Sequence, residues 1–230
     1  MRILLIILIT FTSCQNKHES KSNKIPYEPN KNSTENLATK NDQKEKFQRI
    51  PYSLQYDYLD ILGTKIKPNE NYEYWQYAKY EQGITGDVKY SILKQGGDTL
   101  QRKKINEKIN PIEVLGIFKR GHPNYCCNYA IYIKNKKINY IKTEEEFRTF
   151  IGEIDNLEEA VILARTYGYL VGSETKAREY RKVENGYELH LMKYYDYPPS
   201  KELIEINIKK DGFIKTKSLG IYKTGKEVNE

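Results

Sequence analysis

Residues 127–168 read CNYAIYIKNKKINYIKTEEEFRTFIGEIDNLEEAVILARTYG and hold the clearest structural signals in the chain. From residue 127 to residue 133, apolar side chains alternate with others, which is typical of a β-strand. Residues 135–137 are turn formers, and residues 138–141 are again rich in β-branched and aromatic side chains. The first half of this stretch therefore predicts a β-hairpin.

The second half of the same stretch predicts two short helices. Thr143 and Glu146 have the spacing of a capping box, which predicts a helix over about 144–151. Asp155 and Asn156 precede a segment whose apolar residues recur every three or four positions, as they do on one face of a helix. That spacing predicts a second helix over about 157–167.

Turn signals on both sides of this block predict more β-structure. Asn185-Gly186 and Asp211-Gly212 each predict a hairpin, and Gly96-Gly97 predicts another one further upstream. Pro198-Pro199 is expected to separate the first two hairpins, because proline is excluded from central strands. The Tyr-rich stretch 72–80 fits the helix and strand patterns equally badly, so its role stays open.

These elements predict an α+β domain over residues 51–230. We expect one antiparallel β-sheet with the two helices, about 144–151 and 157–167, packed on one of its faces. Residues 14–50 are expected to form a disordered tether, because they are mainly Lys, Asn, Ser, Glu and Thr and offer little apolar surface to bury.

Composition and charge exclude several classes of protein. The 230 residues include 3 Cys, which is too few for a disulfide-dense scaffold. The formal net charge is +7, and residues 15–50 contribute eight basic and five acidic side chains to it. Because no basic cluster occurs along the chain, the sequence argues against a nucleic-acid partner.

The N-terminus has the layout of a secretory signal peptide over residues 1–13. Arg2 precedes an apolar run over residues 3–9, and Thr12-Ser13-Cys14 follows it. This ending resembles the lipobox of bacterial lipoproteins, and the resemblance covers residues 1–14. It implies that Cys14 becomes the first residue and carries acyl chains such as palmitate. The resemblance therefore implies a lipid-anchored protein of the bacterial cell envelope.

The most unusual dipeptide in the chain is Cys126-Cys127, with His122 close before it. Four interpretations compete. The two thiols can form a vicinal disulfide, which is strained because adjacent Cα atoms are only about 3.8 Å apart. Together with His122 the thiols have the chemistry of a soft-metal site. One thiol paired with His122 or His190 has the chemistry of a nucleophile. Two small apolar residues at the start of a strand need no function at all, and this interpretation is favoured.

Two further groups of residues have ordinary explanations in the sequence. His190 stands between Leu189 and Leu191, so the alternation of a strand places its side chain on the face opposite to the leucines. Asp155, Glu158 and Glu159 are expected to cap and stabilise a helix N-terminus rather than to form a catalytic carboxylate site.

The sequence thus predicts an envelope lipoprotein whose domain binds a partner without catalysing a reaction. The partner is left open between another envelope protein, a toxin and a glycan, and no cofactor is expected. The alternative is a thiol-based enzyme, or a redox or metal-binding module, that uses His122, Cys126 and Cys127.

Overall fold

Two antiparallel β-sheets form the framework of the protein in the computed structural model, which describes residues 45–55, 59–82, 87–106, 117–118 and 128–225. The prediction of a single sheet is therefore wrong. The predicted strands do not all pair with one another, and the β-content is higher than one sheet with two helices would give.

The larger sheet has six strands and is mainly a meander. Its strands are β1 (Gln48–Arg49), β6 (Tyr169–Leu170), β7 (Glu179–Val183), β8 (Gly186–Asp196), β9 (Pro199–Lys209) and β10 (Ile214–Thr224). Their order is β1-β7-β8-β9-β10, with β6 also paired to β8. The edge strand β10 has two register shifts against β9 and carries Lys215, Lys217 and Lys223.

The turns of this meander follow the sequence signals with one exception. Both predicted hairpins form, although the first turn consists of Glu184 and Asn185, because Gly186 already pairs with Val183. The exception is Pro198-Pro199. These prolines do not separate two hairpins: Pro198 lies in the turn between β8 and β9, and Pro199 is the first residue of β9, opposite Asp196. Proline is tolerated in a turn and as the first residue of a strand, although it is excluded from the interior of a central strand.

The smaller sheet has the order β3-β2-β4-β5. Its strands are β2 (Tyr74–Gln82), β3 (Val88–Gly97), β4 (Asn128–Lys134) and β5 (Lys137–Ile141). Strand β2 is the Tyr-rich stretch, and it lies between two neighbours. Tyr77 packs in the main core, whereas Tyr74 packs in a second cluster on the other face. Because both faces of β2 are buried, its sequence shows no alternation.

Short helices complete the fold. They are α1 (Leu59–Gly63), α2 (Gln101–Asn106), α3 (Glu144–Phe150) and α4 (Leu157–Arg165), with 3₁₀ turns at Tyr52–Leu54 and Thr175–Ala177. Helices α3 and α4 confirm the two predicted helices, and the capping box of α3 is present. The hairpin predicted at Gly96-Gly97 is wrong, because β3 ends there and α2 follows. None of the helices in the described residues has the length and apolar character needed to cross a membrane.

One continuous core joins the two sheets to α3 and α4. Its side chains come from β2 and β4, from β8 and β9, and from both helices. Phe147 and Phe150 are the large side chains that α3 buries, and Leu189 is one of those from β8. The described structure starts upstream of Pro51, since β1 pairs with β7 and Ile50 is buried.

Candidate functional site

The cysteines and one histidine singled out in the sequence lie outside the described residues. These are Cys14, His122, Cys126 and Cys127. The interpretation of His122, Cys126 and Cys127 as a metal, redox or nucleophile site therefore stays a prediction. In the described residues, two other features have the chemistry of a functional site: a groove beside β5 and a polar cluster around His190.

The groove lies between strand β5 and helix α3 and has a volume of about 540 Å³. This volume is within the range of about 300–1,000 Å³ that is usual for ligand sites. Its walls are Ile138, Asn139, Tyr140, Ile141 and Lys142 on the β5 side, Glu146, Thr149 and Phe150 on α3, and Tyr72 and Tyr132.

Three of the side chains that line this groove are aromatic. Tyr72 and Tyr132 have ring centroids 4.3 Å apart, and Phe150 lies 5.7 Å from Tyr72 and 6.2 Å from Tyr132. The Tyr72 hydroxyl donates a hydrogen bond of 2.7 Å to Oδ1 of Asn69. Burial, with the nearby Glu70 carboxylate, raises the pKa of Tyr72, so its phenol stays protonated. The packed rings therefore give the groove an aromatic, mainly apolar lining.

The sequence builds this groove from local signals. Asn135 and Lys136 both have positive φ, 54° and 60°, and they close the β4–β5 hairpin as a two-residue turn. Helix α3 then begins almost directly after β5. The Glu146 carboxylate accepts hydrogen bonds from the backbone N–H of Lys142, at 2.7 Å, and of Thr143, at 3.1 Å. This capping box holds the helix beside the edge of the sheet.

The position of β5 gives the groove its chemistry. In the described part of the smaller sheet, β5 is the end strand and pairs only with β4. Alternate residues of an end strand direct their backbone N–H and C=O groups away from the sheet. In a two-residue hairpin with Lys134 opposite Lys137, Ile138 is one of those residues. A groove that follows such an edge is suited to an extended chain.

The polar cluster lies on the face of the larger sheet that points away from the core. As expected from the alternation, Leu189 and Leu191 are buried in the core and His190 faces the other way. Glu179 and Glu205 stand directly opposite His190 on the neighbouring strands β7 and β9. Nδ1 of His190 is 3.4 Å from Oε2 of Glu179, and Nε2 is 3.9 Å from Oε2 of Glu205.

Arg181 and Phe47 complete the polar cluster. The Arg181 guanidinium donates to both carboxylate oxygens of Glu188 at 2.6 Å. The Phe47 ring stacks on the His190 ring, with centroids 4.2 Å apart and planes 22° from parallel, and the Arg181 guanidinium lies 4.5 Å from the centre of the same ring. Glu188 is buried, and the side chain of His190 is 17% exposed.

The carboxylates at the start of α4 are structural. Asn156 caps the helix by accepting from the N–H of Glu159 at 2.8 Å. The fully buried Glu159 carboxylate accepts from the N–H of Lys67 and of Asp155, both at 2.9 Å. Desolvation by burial raises the pKa of Glu159. Asp155 forms an ion pair with Lys67 at 2.8 Å, which lowers the pKa of this carboxyl.

Sequence reasoning missed several contributors to these features, among them Phe47, Tyr72 and Glu205. Phe47 falls within the predicted tether, Tyr72 belongs to a stretch without a readable pattern, and no sequence signal pairs Glu205 with His190. Strand alternation within 202–209 does place Glu205 opposite to the buried Ile204 and Ile206, and this was the one available hint. The chain matches no protein-family model, no curated protein and no solved structure.

Proposed function

We propose that the protein is a lipid-anchored lipoprotein of the bacterial cell envelope, and that its folded domain binds an extended segment of a partner protein in the groove beside β5. The observation that carries this proposal is the combination of an end strand, a helix and an aromatic lining around one groove. The anchor rests on the lipobox resemblance at Cys14.

An extended peptide fits this groove in two ways. It can add to β5 as a further strand, so that its backbone pairs with the strand edge and supplies affinity. Strand β5 has five residues, which corresponds to about 17 Å of extended chain. Alternate side chains of the peptide then point toward α3 and the rings of Tyr72 and Tyr132, which select apolar or aromatic residues.

Among the partner classes that the sequence leaves open, this geometry favours a protein over a glycan. Sugar hydroxyls can form hydrogen bonds with a strand edge, but they do not repeat at the spacing of backbone N–H and C=O groups, so a sugar cannot extend the β-ladder. Another envelope protein and a secreted toxin both offer extended segments. The two differ in where the partner is found, and the experiment below identifies it directly.

Crosslinking from the groove tests the proposed binding mode. A photo-reactive residue at Thr149, which is exposed on the α3 wall, is expected to capture one dominant partner when the intact protein is irradiated in its own membranes. The same residue placed at Lys215, which is exposed on β10, should not capture it. Mass spectrometry then identifies the partner and the crosslinked segment.

The strand-addition mode has a sharper second test. A synthetic peptide of the captured segment should bind the protein, and Thr149→Arg should weaken this binding at least tenfold because the new side chain occupies the groove. Only every second backbone N–H of the peptide would pair with β5. Methylation of that set of nitrogens should abolish binding, and methylation of the other set should not. Equal capture from both positions, or a captured glycan, would contradict the proposal.

The lipid anchor is tested separately. Cys14→Ala is expected to abolish fatty-acid labelling, because the acyl chains have no other predicted attachment point. Cys126→Ser should label normally and serves as the control. Metabolic labelling with an alkyne fatty acid, followed by fractionation, measures both variants. Undiminished labelling of Cys14→Ala would show that Cys14 is not the lipidated residue.

A further inference from the structure

We propose that Glu188, His190 and Glu205 form a binding site for a first-row divalent cation, with Zn²⁺ as the ion that fits the donor set best. This site shares no residue with the groove and uses no cysteine, and it does not depend on the proposed partner. It lies on the outward face of β8 and β9.

The three donor groups already converge. His190 and Glu205 are direct cross-strand partners, and Glu188 lies two residues before His190 on the same face. One ligand atom from each of the three side chains lies within 4.8 Å of the others. Ligand atoms around a tetrahedral Zn²⁺ are about 3.3–3.6 Å apart at ordinary bond lengths. Shifts of about 1 Å at the carboxylates are therefore enough to complete the site.

The surroundings hold the imidazole ready for coordination. Glu179 faces Nδ1 of His190, on the opposite side of the ring from Glu205. A carboxylate in this place accepts a hydrogen bond from Nδ1–H and leaves the lone pair of Nε2 directed at the ion, which is the usual arrangement around metal-bound histidine. The stacked Phe47 ring further restricts the plane of the imidazole.

The charges of the polar cluster also favour a cation. The side chains of Glu179, Glu188 and Glu205 are all more than two-thirds buried, and Arg181 neutralises only Glu188. Arg49 and Lys217 stand opposite Glu179 and Glu205, but both are exposed, so water screens their charges. Arg181 bonds to both Glu188 oxygens, so an ion must share that carboxylate with the guanidinium.

The donor set determines the class of ion. One imidazole nitrogen and two carboxylates suit Zn²⁺ and related first-row ions. Ca²⁺ prefers six to eight oxygen ligands, which three side chains on two strands do not supply. Three protein ligands leave a fourth position for water, so the site has the open coordination that zinc sites use for ligand binding.

Calorimetric titration of the full chain with ZnCl₂ tests the site. We expect one Zn²⁺ per chain for the wild type, and the same stoichiometry for the Cys126→Ser/Cys127→Ser double variant. His190→Ala and Glu205→Gln should each weaken binding at least tenfold. Glu184→Gln, which removes an exposed carboxylate in the nearby turn, is the matched control and should bind like the wild type. CaCl₂ should give no comparable heat.

Folding and coordination are checked independently. Each variant is melted in EDTA to show that it is folded, and added Zn²⁺ should raise the Tm of the wild type but not of the two ligand variants. If His190→Ala does not fold, the Zn²⁺ affinity of Glu205→Gln still tests the proposal. Three outcomes would each overturn the proposal. Zn²⁺ binding could be unchanged in both ligand variants, it could be lost only in the double cysteine variant, or the wild type could bind no Zn²⁺.

Discussion

Gly186→Ala is expected to lower the free energy of unfolding by about 3 kcal/mol, which is large for the addition of one methyl group. Gly186 has a φ of +134°, a backbone conformation that residues with a Cβ rarely adopt. A Cβ at this position would also overlap the carbonyl oxygen of Ile208, which belongs to the backbone of the neighbouring strand. The ladder between β8 and β9 must therefore open locally.

Gly168→Ala separates these two causes. Gly168 also has positive φ, +82°, but no heavy atom lies within 4 Å of the place where its Cβ would stand. This variant should therefore lose only about 1–2 kcal/mol, the conformational part. Urea unfolding of both variants measures the difference. An equal loss in the two would mean that β8 does not approach Ile208 as described.

Glu159→Ala is expected to lower the free energy of unfolding by about 2 kcal/mol, because two backbone N–H groups lose the fully buried carboxylate that accepts from them. Those groups belong to Lys67 and Asp155, so residue 67 loses its backbone hydrogen bond to α4 and keeps only the exposed ion pair with Asp155. Glu159→Gln should cost less than half as much. Its amide oxygen still accepts one hydrogen bond, and a neutral group is cheaper to bury than the carboxylate.

The adjacent Glu158 provides the control for this prediction. It lies in the same turn of α4 but is only half-buried, so Glu158→Gln should change the free energy of unfolding by less than about 0.5 kcal/mol. Chemical denaturation at neutral pH measures all three variants. A Glu159→Ala variant as stable as Glu158→Gln would show that the two N–H groups find other acceptors.

The parts of the fold that were predictable depend on short-range chemistry. The capping box of Thr143 and Glu146 lies within four residues, so it locates α3 without knowledge of the rest of the chain. The hairpin turns at Asn135 and Asp211 are equally local. What the sequence leaves out is pairing between distant segments, such as Tyr77 opposite Ala130. That pairing creates the second sheet and buries both faces of β2.

Gly96-Gly97 shows how a local rule can mislead. Two adjacent glycines suggested a hairpin turn, but in the structure they belong to β3. A Cβ at Gly96 would meet the Trp75 ring, and one at Gly97 would meet the backbone of Glu73. These glycines allow β3 to approach β2 closely, which is a long-range requirement. Long-range pairing also determines the polar cluster. Strand alternation predicts the orientation of His190, but the pairing of β7, β8 and β9 and the position of Phe47 beside them are not visible in the local sequence.

For the proposed lipid-anchored protein, the shape of β10 bears on how densely copies can be packed at a membrane surface. Anchored molecules on a bilayer meet one another at effective concentrations far above those of free molecules, because diffusion is confined to two dimensions. A straight, uncharged edge strand could pair with an edge strand of a neighbouring copy and so extend the β-sheet from molecule to molecule. Lys215, Lys217 and Lys223, with the two register shifts, make β10 a poor template for such growth. Crowded copies should therefore stay separate, which leaves each groove accessible to the proposed partner.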